Sequence, residues 1–142
     1  MQEKERGFRG YFKQSNTFNR TIITRKIKRS DFKNSLGSFL ETHTNIAGIF
    51  VTTSKAYWVA DVISSMNKLN ISVIGYDLLN ENVVHLKNGT IDFLIHQNPK
   101  QQAYLGLKVL AEHLLFEKEL PKEILLPIDI INSENVKPFM RN

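Results

Sequence analysis

The chain has 142 residues, about the length of one domain, and its 42% hydrophobic and 23% charged residues are ordinary for a globular protein. It contains no cysteine, which excludes a disulfide framework, a thiolate metal site and a cysteine nucleophile. No apolar run approaches the roughly 20 residues that span a bilayer, and the first residues are too charged for a signal peptide. We therefore expect a cytoplasmic protein that does not contact a membrane.

The positive charge is concentrated near the amino terminus. The net charge is +5, and residues 1–30 hold nine Lys and Arg against two Glu, whereas the rest of the chain holds ten against twelve acidic residues. The cluster "RTIITRKIKR" could bind nucleic acid, but no DNA-reading motif accompanies it. Because apolar and polar residues alternate along it, we predict a strand over residues 18–27 with one solvated face.

Helix and strand patterns alternate along the first half of the chain. A helix is predicted over residues 3–14, where aromatic residues recur at helical spacing. Ser30 is the expected N-cap of a second helix that ends near Asn45. The inward residues of this helix are expected to be Phe32, Leu36, Phe39 and Leu40. The continuous apolar run 46–52 predicts a strand covered on both faces.

The same alternation continues through the middle of the chain. Ser54 is the expected N-cap of a helix that extends to about Lys68, with Ala56, Val59, Ile63 and Met66 facing inward. We then predict a buried strand over residues 71–76, a short helix or irregular turn over 78–86, a break at 88–89 and a strand over 90–96.

The clearest local signal is the helix that follows residue 97. Asn98 is the expected N-cap, Pro99 occupies the first helical position, Gln101 stands at the capping-box position, and Pro121 is expected to end the helix. The expected inward residues are Leu107, Leu110, Ala111, Leu114 and Leu115. A last strand is predicted over 123–131, and Pro127 within it suits an edge or a crossover better than the centre of the sheet.

This order of elements predicts a single α/β domain with a largely parallel sheet and helices on both faces. In such sheets ligands bind beyond the carboxyl ends of the strands. Residues 52–54, 76–77 and 97–98 all follow predicted strands, so we expect them at one edge of the sheet. A polar rim above an apolar sheet is therefore the candidate site.

Three classes of chemistry could use such a rim. A hydrolase could use Ser54, His96 and Asp77, but the chain has no G-x-S-x-G elbow, and His96 is expected to be a satisfied or surface histidine. A receiver domain would carry Asp77 as phosphoacceptor, but the basic run near the first strand would repel the required cation.

The third class is recognition of a polyhydroxylated ligand such as a sugar. Carboxylate and amide groups hydrogen-bond rows of hydroxyls, and an aromatic face packs against the C–H side of the ring. Asp77 and Gln97 supply the polar groups, and Phe32 is the candidate aromatic residue. His43, His85 and His113 lack metal-ligand spacing, and no glycine-rich phosphate loop is present, so we expect no metal and no cofactor.

Five segments in this order resemble the effector-binding domain of the lactose-repressor/galactose-repressor (LacI/GalR) family of transcription regulators. They are "ERGF", "AGIFVTTSKAYWVADVI", "ISVIGYD", "IDFLIHQNPKQQAYLGLKVLAEHL" and "ILLPIDIINSENV". The family shares its fold with periplasmic sugar-binding proteins, so the resemblance implies the carboxyl-terminal lobe of such a fold. A fragment of a periplasmic transport receptor is the alternative.

The resemblance implies five ligand-binding residues and no catalytic residue. Asp77 and Gln97 would hydrogen-bond sugar hydroxyls, and Phe32 would stack on the ligand. Thr53 stands where the family commonly has asparagine, and Lys4 stands where it commonly has arginine. Lysine keeps the positive charge but loses the bidentate fork of arginine.

The resemblance also implies what surrounds this chain in a longer protein. Family members carry a DNA-binding headpiece and two lobes, and this chain would be the carboxyl-terminal half of the effector domain, without the headpiece. The helix over 99–118 would pack on the other lobe, so we expect an uncovered helix face and sheet edge. The expected partners are a small-molecule effector, operator DNA through the headpiece only, and a second copy, with the dimer contact near residues 57–63 and 78–79.

Overall fold

Four strands form the central sheet in the computed structural model, which describes residues 2–14 and 21–140. They are β1 (Gly48–Phe50), β2 (Ser72–Tyr76), β3 (Phe93–His96) and β4 (Asp129–Ile131). The sheet has the order β1-β2-β3-β4. The pairs β1–β2 and β2–β3 are parallel, whereas β3–β4 is antiparallel. This confirms the predicted α/β fold with a largely parallel sheet.

Five α-helices within the described ranges connect and flank these strands. They are α1 (Gln2–Gln14), α2 (Phe32–Thr42), α3 (Ala56–Ser65), α4 (Asn80–Lys87) and α5 (Pro99–Phe116). Short 3₁₀ turns cover Arg29–Asp31 and Lys137–Met140. The short helix expected over 78–86 is therefore confirmed as α4, and Gly89 follows it in the left-handed region with φ of 76°.

The hydrophobic core lies between one face of the sheet and helices α2, α3 and α4. Val73, Leu94 and Ile131 contribute fully buried side chains from the strands. Helix α3 approaches β2 so closely that a Cβ atom at Gly75 would lie 2.3 Å from the Cβ of Ala56. Glycine at this position therefore sets the height of α3 above the sheet.

The opposite face of the sheet is covered by α1 at one side. The ring of Phe8 on α1 stacks on the ring of Phe50 on β1, with 4.7 Å between the centroids. Further along the sheet, Phe93 and Ile130 remain 39% and 51% exposed. Helices thus lie on both faces, as predicted, but they cover this second face only in part.

The strand predicted over residues 18–27 is wrong within the described part of the chain. Residues 21–28 run beside the fold without joining the sheet, and residues 18–20 lie outside the described ranges. Ile22 and Ile27 are half-buried, and Ile23 is exposed. An alternating pattern forms a strand only when a neighbouring strand accepts its hydrogen bonds, and none of the described strands does.

Side chains of α1 hold the segment 21–28 in place instead. The Arg9 guanidinium donates to the carbonyl of Ile22 and to the Thr24 hydroxyl, and it also pairs with the Glu5 carboxylate at 2.9 Å. The Thr24 hydroxyl donates to the same carboxylate at 2.6 Å. These contacts, the Thr24 bond first and then Arg9, lower the pKa of Glu5 below its ordinary value.

Two predicted N-caps differ from the structure. The second helix is capped at Asp31, because Ser30 lies inside a 3₁₀ turn, and the helix ends at Thr42. The third helix is capped at Lys55 rather than Ser54 and ends at Ser65, earlier than expected. Neither capping residue makes a side-chain cap hydrogen bond. The inward residues were largely predicted: Leu36, Leu40, Ala56, Val59 and Ile63 are buried, and Phe32, Phe39 and Met66 pack against the core.

The strand predicted over 46–52 is confirmed as β1, with shorter bounds. Only three residues form β1, and Gly48 is exposed while Ile49 and Phe50 are half-buried. Ile49 packs against the core and Phe50 stacks on Phe8 of α1, so both faces of this strand are covered in part, as predicted. The strands predicted over 71–76 and 90–96 are confirmed as β2 and β3, with shorter bounds.

Helix α5 begins as predicted but packs differently. Asn98 is the N-cap, and its side chain accepts from the Gln101 amide at 3.3 Å. The helix ends at Phe116, before Pro121, and none of its residues is buried. The expected inward side chains of Leu107, Leu114 and Leu115 are 70%, 70% and 73% exposed. The sequence pattern defined an apolar face correctly, but no described element covers that face, as the family resemblance had implied.

The last strand is shorter than predicted, since β4 begins at Asp129, after Pro127. It lies at the edge of the sheet, as the proline indicated. The stretch 57–63, where a dimer contact was expected, is largely core. Val59, Ala60, Val62 and Ile63 lie on the buried side of α3, so these apolar residues pack within the chain.

Candidate ligand-binding site

The candidate site lies at the edge of the sheet where β1, β2 and β3 end. These strands are parallel neighbours, so Phe50, Tyr76 and His96 at their carboxyl ends reach the same edge. The loops that follow carry Thr53, Asp77 and Gln97. This arrangement confirms that the three strand exits share a rim.

Asp77 and Gln97 meet directly on that rim. The side-chain Nε2 of Gln97 donates a hydrogen bond of 3.2 Å to Oδ1 of Asp77, and both residues are half-buried. The Asp77 backbone is in the left-handed region with φ of 66°, which an L-residue with a side chain adopts at a cost. Its amide extends the sheet by donating to the Ile95 carbonyl at 3.1 Å. The predicted convergence of these two side chains is confirmed; their contact with a ligand stays a prediction.

Gln97 stands at the junction between the sheet and α5. Its carbonyl accepts a hydrogen bond of 2.6 Å from the Gln102 side chain, one turn into the helix. The next residue, Asn98, has a φ of 50° and caps α5. Any change in the direction of α5 would therefore displace Gln97, the residue that contacts Asp77.

Lys4 reaches the site from α1. Its Nζ atom lies 3.4 Å from the centroid of the Tyr76 ring, which is a cation–π contact. Burial, and then the neighbouring Asp77 carboxylate, raise the pKa of the Tyr76 hydroxyl above its ordinary value. Lys4 thus brings a positive charge to the residue that precedes Asp77, in the region where the sequence predicted it.

Phe32 and Thr53 make contacts of their own. The Phe32 ring is half-buried, packs against the core and tilts against the Trp58 ring at 5.3 Å between centroids. The Thr53 hydroxyl accepts from the Lys55 amide at 3.3 Å and so shapes the loop before α3. The structure does not bring either side chain into contact with Asp77 or Gln97. Their predicted ligand contacts remain untested.

The aromatic side chains that accompany Asp77 are Tyr76 and Phe50, which the sequence reasoning missed. Their ring centroids are 5.8 Å apart in an edge-to-face arrangement, and Phe8 stacks on the far side of Phe50. Each of the two is the last residue of a strand that ends at the rim, and each alternates along its strand with residues that face the core. Strand periodicity places them on the α1 face of the sheet, and this was the signal that could have identified them.

His96 differs from the expectation of a satisfied or surface histidine. Its ring packs edge-to-face against Phe139 at 5.7 Å, and its Nδ1 atom is buried without a hydrogen-bond partner in the described part of the chain. Phe139 comes from the final 3₁₀ turn, which the sequence did not place near β3.

No group of His, Asp and Glu residues within the described ranges is arranged to hold a metal ion.

No helix in the described ranges is long and apolar enough to cross a membrane.

A family model for the periplasmic binding protein domain matches residues 1–118. The xylose/arabinose-binding protein of Sulfolobus acidocaldarius is 25% identical over 119 residues, which are 78% of this chain and 30% of that protein. The chain therefore spans about a third of the length of this relative.

Solved structures with the same fold come from two classes of protein. A candidate LacI transcriptional regulator from Bacteroides fragilis is 31% identical, with a TM-score of 0.88 over 96% of this chain and 48% of that one. A solute-binding protein of an ABC transporter from Agrobacterium vitis, solved with α-D-tagatopyranose, is 23% identical, with a TM-score of 0.84 over 96% of this chain and 46% of that one. The chain spans about half the length of each.

Proposed function

The chain belongs to the periplasmic binding protein domain family, and from this we propose that it forms half of a binding site for a sugar or a related small metabolite. The observation that carries the proposal is the hydrogen bond between Asp77 and Gln97 at the exits of two parallel strands. A carboxylate beside an amide can accept from and donate to neighbouring hydroxyls of one ligand. Proteins of the same fold were solved with a tagatose, with D-fucose and with D-allose.

The binding site is completed by a second lobe. The chain covers 48% of the Bacteroides structure, and the exposed apolar face of α5 supports packing of residues 99–118 on that lobe. The ligand then binds between the lobes and favours one relative arrangement, because it has a higher affinity for that arrangement. On its own, this chain binds the ligand weakly or not at all.

Within the family, the parent protein is a cytoplasmic LacI-type regulator that acts as a dimer. The 31% identity and the TM-score of 0.88 to the Bacteroides protein support the choice of a LacI-type regulator. Effector binding would change the arrangement of DNA headpieces that lie outside this chain, so operator DNA is a partner of the parent only. The domain senses its ligand and performs no catalysis.

A transport receptor is the second candidate function. The similarity to the Sulfolobus xylose/arabinose-binding protein and to the Agrobacterium solute-binding protein favours it. The two candidates differ in what precedes the effector domain in the gene, since a regulator encodes a helix-turn-helix and a receptor encodes a signal peptide. Sequencing the gene upstream of Met1 distinguishes them.

A melting-temperature screen of the full-length protein against a panel of sugars tests the proposal. The panel contains D-xylose, L-arabinose, D-tagatose, D-fucose and D-allose. We expect one sugar class to raise the melting temperature of the wild type but not of Asp77→Ala, whereas Glu81→Ala, an exposed carboxylate on α4, keeps the response. Equal stabilisation of the wild type and Asp77→Ala would remove Asp77 from the site.

A further inference from the structure

Asn82 is a fully buried polar side chain directly beneath the candidate site. It lies on the inward face of α4 beside Val83 and Leu86, and its exposed fraction is 0%. An amide on an otherwise apolar face is costly unless all of its hydrogen bonds are made within the protein. The contacts that satisfy Asn82 therefore indicate why an amide stands there.

The Asn82 side chain makes four hydrogen bonds to backbone groups at two of the three strand exits that form the rim. Its Oδ1 accepts from the Tyr57 amide at 2.9 Å. Its Nδ2 donates to the carbonyls of Ser54 at 2.9 Å, Tyr76 at 3.1 Å and Asp77 at 2.9 Å. An amide nitrogen carries two hydrogens, so at least one of them is shared between two of the three carbonyls.

These bonds connect the loop after β1 with the loop after β2. Ser54 precedes α3 and Tyr57 lies in its first turn, whereas Tyr76 is the last residue of β2 and Asp77 follows it. Asp77 is the residue in the left-handed conformation, and Asn82 binds the carbonyl that this conformation presents. A residue in a strained backbone conformation persists only where neighbouring groups hold it there, and the hydrogen bond from Asn82 helps to hold Asp77.

We infer that Asn82 is the positioning residue of the site, because it holds the Asp77 backbone so that the carboxylate stays beside Gln97. Asn82 also fixes the segment that enters α3 relative to Asp77. The ligand role of Asp77 rests on the proposed function. The positioning itself can be measured without any ligand.

Only asparagine meets all four contacts. Aspartate has the same shape and could accept from the Tyr57 amide, but it would present oxygen lone pairs to three carbonyls. Leucine has a similar volume and offers neither donor nor acceptor. Asn82→Asp therefore keeps only the accepted hydrogen bond, whereas Asn82→Leu loses the accepted and the donated bonds at similar volume. Comparing the two variants distinguishes the role of the hydrogen bonds from that of packing.

The test uses NMR of the ligand-free chain. The side-chain amide signal of Gln97 is the first readout, and its position in Asp77→Ala marks the loss of the Asp77 contact. We expect this signal to move toward that position in Asn82→Asp and in Asn82→Leu. It should stay at the wild-type position in Val83→Ala, which removes core volume from the same helix but no hydrogen-bonding group.

Amide hydrogen exchange at Tyr57 is the second readout. We expect exchange about tenfold faster than in the wild type for Asn82→Leu, because the acceptor is lost, and little change for Asn82→Asp. The Asn82 side-chain amide in the wild type supplies a measurement that needs no variant: its protons should exchange far more slowly than those of the exposed Asn80.

A wild-type Gln97 signal in both Asn82 variants would overturn the inference, as would an equal displacement in Val83→Ala. Rapid exchange of the Asn82 side-chain amide in the wild type would overturn it even if the variants fail to fold. Failure of every sugar to stabilise the full-length protein would instead count against the proposed function and would leave these readouts unchanged.

Discussion

Gln97 and Asp77 are twenty positions apart in the chain and are joined by a hydrogen bond of 3.2 Å between Nε2 and Oδ1. Each residue follows its own parallel strand, so the contact depends on the register of β2 and β3, in which Tyr76 pairs with Ile95. The two side chains can therefore act as one recognition unit only while the sheet, the left-handed Asp77 and the Asn98 cap stay in place.

Replacing Lys4 with methionine tests the cation over Tyr76. Methionine keeps an unbranched apolar side chain but removes the charge, so we expect a loss of about 0.5–1 kcal/mol in the free energy of unfolding. Urea unfolding of Lys4→Met and of Lys122→Met, an exposed lysine far along the chain, measures the difference. Equal stability of the two variants would contradict a stabilising role for this contact.

Adding a methyl group at Gly75 tests the close approach of α3 to β2. The new Cβ would lie 2.3 Å from the Ala56 Cβ, so helix and strand must separate, at a cost of about 1–3 kcal/mol. Gly106→Ala is the control, because nothing lies within 4 Å of a Cβ there, and it should stabilise α5 by up to about 1 kcal/mol. Chemical denaturation of both variants checks the opposite signs; a tolerated Gly75→Ala would show that α3 can move freely.

The raised pKa of Tyr76 predicts a loss of stability at high pH. The folded state keeps the phenol protonated beyond its ordinary value of 10.0, so the contribution is fully present below that value and is lost as pH rises through the folded pKa. The free energy of unfolding, measured between about pH 8 and 11, should fall at the high-pH end in the wild type. Tyr76→Phe should lack the part of this fall that comes from Tyr76. The exposed Tyr104, changed to phenylalanine, should leave the profile unchanged. Identical profiles for the wild type and Tyr76→Phe would contradict the assignment.

The exposed apolar face of α5 predicts self-association of the isolated chain. Leu107 and Leu114 are each 70% exposed on a helix with no buried residue, and burying such side chains is favourable. Sedimentation velocity should show an association that weakens by at least about tenfold in Leu107→Glu/Leu114→Glu, since each buried leucine contributes about 1.5–3 kcal/mol. Val84→Glu, which charges an exposed apolar residue of α4, should have little effect. A wild-type chain that stays monomeric at high concentration would refute this expectation.

The sheet and the rim could be predicted because they depend on local patterns and on one general rule. Apolar runs marked β2 and β3, Asn98 and Pro99 marked the start of α5, and parallel strands bring their carboxyl ends to one edge. The meeting of Asp77 with Gln97 followed from these alone.

Other features depend on neighbours that the sequence does not name. Residues 21–28 carry a strand pattern, but strand formation needs a pairing partner, and Arg9 and Glu5 hold the segment instead. The periodicity of α5 defined its apolar face without defining what covers it. Phe32 was the predicted aromatic residue of the site, and only the structure shows that Phe50 contacts Tyr76 while Phe32 packs on Trp58.

A double-mutant cycle of sugar binding to the full-length protein tests the central claim most directly. Affinities of the wild type, Asp77→Ala, Gln97→Ala and the double variant are measured by calorimetry for the sugar that stabilises the wild type most. If both side chains bind one ligand as a unit, each single variant weakens binding, and the double variant loses less than the sum, with a coupling of about 0.5–3 kcal/mol. Unchanged affinity in either single variant, or strictly additive losses, would contradict the claim that this pair recognises the ligand together.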